Sequence, residues 1–425
     1  MSKARAPAVA IGIDLGTSGV RAAAVAADGT VLHLAACPHA DTAAGRDPSS
    51  WWHGVEHCLG ALARHVSLSG IRGLAVDGTS GTMLAVDEAG RPLGDVLMYN
   101  DPCPDGAIVE RIGDVAPDGS PARGATSALA RAIYLSRLDG VHKVIHQADW
   151  ILWQLGLSIA VSDENNTLKT GYDLGAEAWP AWLETAGMDA GLLPQVRRAG
   201  APIAEIGGGG RRFGLPHGAM LHAGTTDGCA SFLATGALEI GDGVTALGST
   251  LVLKLACAAP INSSAYGIYS HRVLDFWLAG GASNSGGAVI RSLFDESSLA
   301  QLTSALDPDR PTGLAYYPLL RPGERFPVND PSYPPVLEPR PADEATFFQA
   351  VLEGMTRIEK SGYDRLADLG GPRLRSVRSV GGGAANAGWM RMRERALGVP
   401  CLEPRSAEAA VGTASLVLAG QERLI

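Results

Sequence analysis

A strand, a tight glycine-rich turn and a second strand occur twice in this chain, and that duplication restricts its architecture more than any other feature. Residues 8–36 read as a three-stranded meander: "AVAIGID", "VRAAAVA" and "VLHLAA" are joined by a Gly-rich turn at 15–19 and by "DGT" at 28–30. Residues 244–256, "VTALGSTLVLKLA", repeat the shape as strand, Gly-Ser turn, strand. A chain of 425 residues has room for about two or three domains. The repeat therefore predicts two α/β lobes around a central cleft, each lobe with its own sheet and turn.

Between the repeats the pattern alternates. "SSWWHGVEHCLGALARH" (49–65) has an apolar helical face with Ser50 as its N-cap, "IRGLAVDGTS" is a strand, and a hairpin follows through "DEAGRP". Residues 128–155 predict helix, with "ADWILWQLG" as the most apolar piece, and 163–206 is mixed and loop-rich. In "AMLHAGTTDGCASFLATGA" (219–237) a buried strand runs into a helix capped by Thr225 or Thr226, which puts Asp227 at the helix N-terminus. Ten of the 26 prolines fall in 308–341, which forbids a long helix or a central strand there. Interspersed Leu, Tyr and Phe make that segment an extended crossing within a domain rather than a linker. Helical periodicity returns in "FFQAVLEGMTRIEKSGYDRLADLG". The chain closes with a strand, a Gly-rich turn and two helices in "RSVGGGAANAGWMRMRERALG" and "SAEAAVGTASLVLAG".

Charge and cysteine content narrow the partners. A formal net charge of -9 without any Lys/Arg block argues against nucleic acid or an anionic membrane, since both need a concentrated basic surface. An anionic ligand must be held locally. Cys37, Cys58, Cys103, Cys229, Cys257 and Cys401 show no CxxC pair and no metal-ligand spacing with histidine, so they read as reduced and structural. No stretch approaches the roughly 20 apolar residues of a membrane span, and "MSKARAPAVAIGID" lacks a cleavage-site pattern, so the expected compartment is the cytosol.

Four short motifs carry chemistry. "DLGTSG" is no P-loop, because it has neither the lysine nor a following helix. A β-turn-β element can still bind phosphate: its N–H groups converge on an anion and Thr17 and Ser18 add hydroxyl donors. Asp14, just before the turn, could hold Mg²⁺ through water. "ALGSTLVLK" is a second such turn, "GGGAAN" (381–386) lets a nucleotide approach backbone closely, and "TTDG" sets a carboxylate at the positive end of a helix. Taken singly, each has an ordinary explanation as a hairpin turn, a strand–helix junction or a helix cap. Their joint occurrence in one chain is much harder to explain that way.

That order of motifs resembles the FGGY carbohydrate kinase family, within the actin-like ATPase superfamily, from about Ala8 to Gly420. "IGIDLGTSGVRAAAVAADG" resembles its first phosphate motif, "AGTTDGCASFLATGAL" its catalytic-aspartate motif and "TALGSTLVLK" its second phosphate motif. "SVGGGAANAGWMRMRERALGVPCLEP" with "EAAVGTASLVLAG" resembles its adenosine segment, and "YPLLRPGERFP" and "SDENNTLKTGYDL" are smaller echoes. The resemblance implies a fold of two actin-like (ribonuclease H-like) lobes, 1–236 and 237–425, with the final helix free to pack on the first lobe. It implies Asp227 as general base, with Gly228 beside it, and Asp14 as the metal- and phosphate-side carboxylate. Gly16, Thr17 and Ser18 form the first phosphate turn and Gly248, Ser249 and Thr250 the second. By the same resemblance Gly382, Gly383 and Asn386 are expected to hold the nucleotide, and Trp389 to wall the adenine. ATP and Mg²⁺ are the implied cofactors, and a small sugar is the implied partner.

The acceptor is read from "VDGTSGTMLAVD", which replaces the Gln-Met-His-Gly type stretch of many family members and resembles the Asp-Ala-Thr-Cys type of ribulose kinases. Asp77, Thr79 and Ser80 there offer an acceptor and two hydroxyls to a small polyol. The chain length resembles the short D-ribulose kinase branch, often labelled xylulose-kinase-like. The expectation is phosphorylation of D-ribulose to D-ribulose 5-phosphate, with D-xylulose or another polyol as alternatives. An actin-like or chaperone-like ATPase would share the phosphate turns, and a catalytically silent sugar sensor is disfavoured by the presence of both Asp14 and Asp227.

Overall fold

The run Ala10–Gly16 is apolar at almost every position and buried along its length, as a strand covered on both faces must be. In the computed structural model, which describes residues 7–422, it is the first of seventeen described strands. The chain divides into two compact units. The first comprises Met1–Ala234, Arg272–Asp275 and Glu408–Ile425; the second comprises Thr235–His271 and Phe276–Ala407.

The first unit carries β1 (Ala10–Gly16), β2 (Gly19–Val25), β3 (Val31–Pro38), β4 (Gly73–Gly78), β5 (Met83–Val86), β6 (Pro92–Leu97), β7 (Lys143–His146), β8 (Val161–Asp163), β9 (Gln195–Arg197), β10 (Pro202–Glu205) and β11 (Met220–Thr226). Six of them form a sheet in the order β10-β11-β4-β1-β2-β3. Strands β1, β2 and β3 are the expected antiparallel meander, whereas β4 runs parallel to both β1 and β11. A parallel neighbour requires a crossover. The helix Pro48–His65 lies in that crossover and packs Trp51, Val55, Leu59 and Leu62 into one core with Val20, Ala22 and Ala24.

The closing helix, Ala409–Glu422, packs on the same sheet. A β-carbon on Gly12 would fall inside its backbone at Ala410 and Ala414, and one on Gly412 would fall on the Ala230 carbonyl of the helix Asp227–Ala234. These glycines permit backbone-to-backbone approach between strand and helix and between the two helices.

Two local readings are corrected. Asp47, not Ser50, caps the helix at Pro48, its side chain accepting from Ser49 N, with proline at the first helical position. The stretch 128–155 is not one helix: Ala128–Leu135, capped by Ser127, gives way to strand β7 and then to the helix Gln147–Gln154. The β-branched pair Val144–Ile145 follows a turn at Asp139-Gly140 and pairs with β5.

The second unit repeats the first's central topology. Strands β12 (Asp242–Leu247), β13 (Leu251–Cys257), β14 (His271–Val273), β15 (Phe276–Ser283), β16 (Ser376–Val380) and β17 (Cys401–Leu402) form a sheet in the order β14-β15-β13-β12-β16-β17. Here β12, β13 and β15 are the antiparallel meander and β12 runs parallel to β16, as β1 does to β4. The helix Glu344–Asp368, capped by Asp343, buries Phe347, Val351, Met355 and Leu366 in a core with Leu251, Leu253 and Leu255. Inside it Arg393 donates to both Glu359 carboxylate oxygens at 2.6 Å, and Thr245 and Tyr363 complete the network. The proline-rich crossing is extended as expected, with only the isolated bridges Tyr317–Val336 and Glu324–Asp330. All six cysteines are free. Among the described residues no helix is long and apolar enough to cross a membrane.

Candidate active site

In the first unit three neighbouring parallel strands end in polar residues. Asp14 on β1 lies opposite Asp77 on β4, and Thr225 on β11 lies opposite Asp77 on its other side. Asp227 is the first residue of the helix that leaves β11. Sheet register thus gathers three carboxylates that are far apart in sequence, at the carboxyl ends of parallel strands where α/β sheets place their sites.

Asp14 is 6% exposed and faces the Arg21 guanidinium at 3.7 Å, which also pairs with Glu408 at 3.4 Å. Burial raises its pKa, against the pull of a hydrogen bond with Asp77, and the Asp227 charge adds to the rise. Asp77 is fully enclosed and lies well above the ordinary carboxylate value, from burial first and then from the Asp14 charge. The Thr413 hydroxyl of the closing helix donates to Asp77 Oδ2, whereas Oδ1 meets no N–H or O–H donor. A proton held on Asp77 lets the two carboxyls hydrogen-bond rather than repel.

The turn between β1 and β2 closes with Gly16 opposite Gly19 and leaves Thr17 and Ser18 exposed. A side chain at Gly19 would strike the Cys37 carbonyl and the Pro38 backbone, so the turn stays tight against β3. Asp227 is half-buried, and the Gly228 N–H donates to its Oδ1 at 2.6 Å. Thr226 rather than Thr225 serves the helix start, accepting from Cys229 N at 3.4 Å. The Thr225 hydroxyl instead accepts from Asn165 Nδ2 at 3.0 Å and its carbonyl from Asn166 Nδ2 at 3.0 Å. Both asparagines are in turn fixed by the buried Asp163, whose carboxyl burial pushes up to about 6. The "SDENN" segment thus braces the strand that delivers Asp227.

The acceptor stretch is built differently from its sequence reading. Asp77, as above, and Thr79, 4% exposed, are both enclosed; the Thr79 hydroxyl is engaged with Thr82 at 2.6 Å and Gln147 at 2.9 Å. Both side chains are thus enclosed and bonded within the fold. Ser80 is half-buried, and its hydroxyl has no partner among the described residues. Arg131, fully buried, donates to the Gly81 carbonyl through Nε and Nη2 and to the Asp101 and Thr126 carbonyls through Nη1, and burial lowers its pKa to about 10.

Lys169 is a residue that sequence reasoning passed over. It is half-buried, its side chain lies beside Gly81, and burial lowers its pKa while the Asp227 charge pulls the other way. Its signal is the single lysine in the otherwise uncharged run "NNTLKTG".

In the second unit, the turn between β12 and β13 is held by the segment that follows β15. Gly287 N donates to the Gly248 carbonyl at 2.8 Å, Ala288 N to the Ser249 carbonyl at 3.0 Å, and Arg291 Nη2 to the Ser249 hydroxyl at 2.9 Å. Ser249 is exposed and Thr250 half-buried. The Gly-rich junction lies against the same turn: a β-carbon on Gly381 would meet the Leu247 carbonyl at 2.9 Å, and one on Gly383 the Leu247 side chain at 2.8 Å. Gly382 is open. Asn386 caps the helix Ala387–Leu397 through Trp389 N at 2.9 Å and reaches Thr303 at 3.3 Å, which makes it the brace of this junction. Trp389, expected beside the adenine, lies in the core instead: it is 3% exposed and its indole N–H donates to Thr356 at 3.0 Å. The apolar face of an amphipathic helix took it inward.

Residues 9–112 match the model of the FGGY family of carbohydrate kinases, N-terminal domain, and residues 241–419 match that of the C-terminal domain. A xylulose kinase from Klebsiella pneumoniae is 23% identical over 430 residues, covering 90% of this chain and 83% of its own. Among solved structures, a xylulose kinase from Rhodospirillum rubrum has a TM-score of 0.82 at 22% identity, over 97% of this chain and 90% of that one. A Plasmodium falciparum glycerol kinase with ADP has a TM-score of 0.80 at 13% identity, over 97% of this chain and 89% of that one. These likenesses give the chain their fold of two actin-like α/β lobes.

Proposed function

This chain belongs to the FGGY family of carbohydrate kinases, and from that premise we propose that it transfers the γ-phosphoryl group of Mg-ATP to the terminal hydroxyl of a pentulose, D-ribulose first, giving D-ribulose 5-phosphate. The observation that carries the reading is the gathering of Asp14, Asp77 and Asp227 on three adjacent strand ends.

Phosphoryl transfer asks the protein for position, charge balance and a proton acceptor. Asp227 is the general base: it stands at a helix start with the Gly228 N–H fixing one oxygen, and its strand is braced by Asn165 and Asn166. Asp14, nearly buried and steadied by Arg21, is an oxygen donor of the kind that Mg²⁺ meets through its waters. When bound, Mg²⁺ neutralises charge on the transferring phosphates. Thr17 and Ser18 offer hydroxyls to phosphate from the first unit, and Ser249 and Thr250 from the second, while the open Gly382 gives a nucleotide access to backbone. Ser80 and Lys169 are the acceptor's partners on the sugar side, with Thr79 and Arg131 holding the turn beneath.

D-Xylulose is the second reading, favoured by the names of the Klebsiella and Rhodospirillum relatives. What supports D-ribulose is the stretch "VDGTSGTM", which lacks the Gln-Met-His-Gly type grip. Measuring kcat/KM by coupled ADP release separates the two: D-ribulose should rank above D-xylulose, and both above glycerol. A clear preference for xylulose or glycerol would remove the ribulose assignment and leave the kinase standing.

A further inference from the structure

The second unit contains a cavity of about 600 Å³ that none of the phosphate-turn or nucleotide residues lines. Its floor is the β13–β15 pair, where Lys254 lies opposite Gly280. The lysine stem runs over that glycine, within 3.2 Å of where a β-carbon would stand. Tyr266 and Tyr269 form walls, Tyr269 beside the His271 ring at 5.3 Å, and Arg325 stands exposed at the rim.

The charge pattern is what needs explaining. Lys254 is half-buried in the middle of a strand, yet no carboxylate of the described residues pairs with it, and Arg325 is likewise unpaired. The other cations of this unit that are not exposed have acidic partners, Arg365 with Asp368, Arg378 with Asp242 and Arg393 with Glu359, whereas unpaired cations such as Arg310 and Arg357 lie exposed. No Asp or Glu appears among the described residues lining the cavity, in a chain whose net charge is -9. A partly desolvated cation without a counter-charge is costly unless something anionic meets it. The volume falls in the range of small-molecule sites, and the aromatic walls suit the apolar face of a compact organic ligand.

We infer that this cavity binds a phosphorylated sugar, its phosphate held by Lys254 and Arg325 and its carbon skeleton set against Tyr266 and Tyr269. The inference does not rest on the catalytic reading, because none of these residues belongs to the proposed machinery. The test is calorimetric titration of a pentulose 5-phosphate into the full-length protein and into K254M, R325A and D227A, with thermal unfolding to confirm that each variant is folded. Saturable binding should weaken at least about tenfold in K254M, as expected for loss of a charge-assisted contact. R325A, an exposed rim change, should weaken it in the same direction, while D227A should leave it within about twofold. In the absence of added sugar phosphate, K254M and R325A should keep wild-type kcat. No saturable binding, binding as tight as wild type in both cation variants, or loss confined to D227A overturns the assignment. Inorganic phosphate binding as tightly as the sugar phosphate would overturn the sugar part.

Discussion

The two glycine turns occupy the same place in the same topology, yet only one is furnished with acids. In the first unit Asp14 lies opposite Asp77 two residues before Gly16; at the matching register in the second, Ala246 lies opposite Val380 two residues before Gly248. The first turn presents Thr17 and Ser18 to solvent, with Arg21 steadying the nearby Asp14. The second is tied down by Gly287, Ala288 and Arg291. Beneath it the charges are internal, in the Arg393–Glu359 pair with Thr245 and Tyr363. A duplicated fold has thus kept its glycine turn twice and the facing carboxylates once, and the proposed function assigns the chemistry to the unit that has them.

That division can be broken experimentally, and the largest effect belongs to the acidic unit. D227A should lower kcat by about 10²- to 10⁴-fold while nucleotide affinity, read by calorimetry, stays nearly unchanged. Near-normal turnover would take Asp227 out of the mechanism. In the second unit the dominant effect should be on stability. E359A leaves Arg393 buried without its partner, a loss of about 3 to 5 kcal/mol in denaturant unfolding. A loss below about 1 kcal/mol would mean that the network contributes little to holding β12 on its helices. The smallest effect is expected at the second turn itself. S249A removes one exposed side-chain contact with Arg291 and should cost about 1 kcal/mol or less, visible as a modest rise in KM for ATP. A fall in kcat as deep as that of D227A would show that the second turn takes part in chemistry.

The sequence carried the fold's repeat because both copies place glycines between strands whose alternation is strong. The places of Asp14 near a strand end and of Asp227 at a helix start were legible too, since both are local patterns. Local patterns failed where two explanations compete over a few residues. "HKVIHQADWILW" reads as helix until pairing of Val144 and Ile145 with β5 decides for a strand, and Pro48 outweighs Ser50 in setting a helix start. Contacts that depend on tertiary placement left no trace: Thr413 meets Asp77 across 336 residues, and Arg131 reaches Gly81 across 50. Trp389 shows the opposite difficulty, a residue near a nucleotide motif whose helix face, not its motif, set its place.

The claim that the acidic unit moves phosphate to a sugar, rather than merely splitting ATP, is tested most directly by measuring ADP formation with and without D-ribulose. The assay would use wild-type protein at saturating Mg-ATP, with the sugar phosphate counted alongside. The account predicts that ADP appears many-fold faster with the pentulose present, one sugar phosphate forming for each ADP. ADP formed at the same rate without any sugar, and no sugar phosphate beside it, would contradict it.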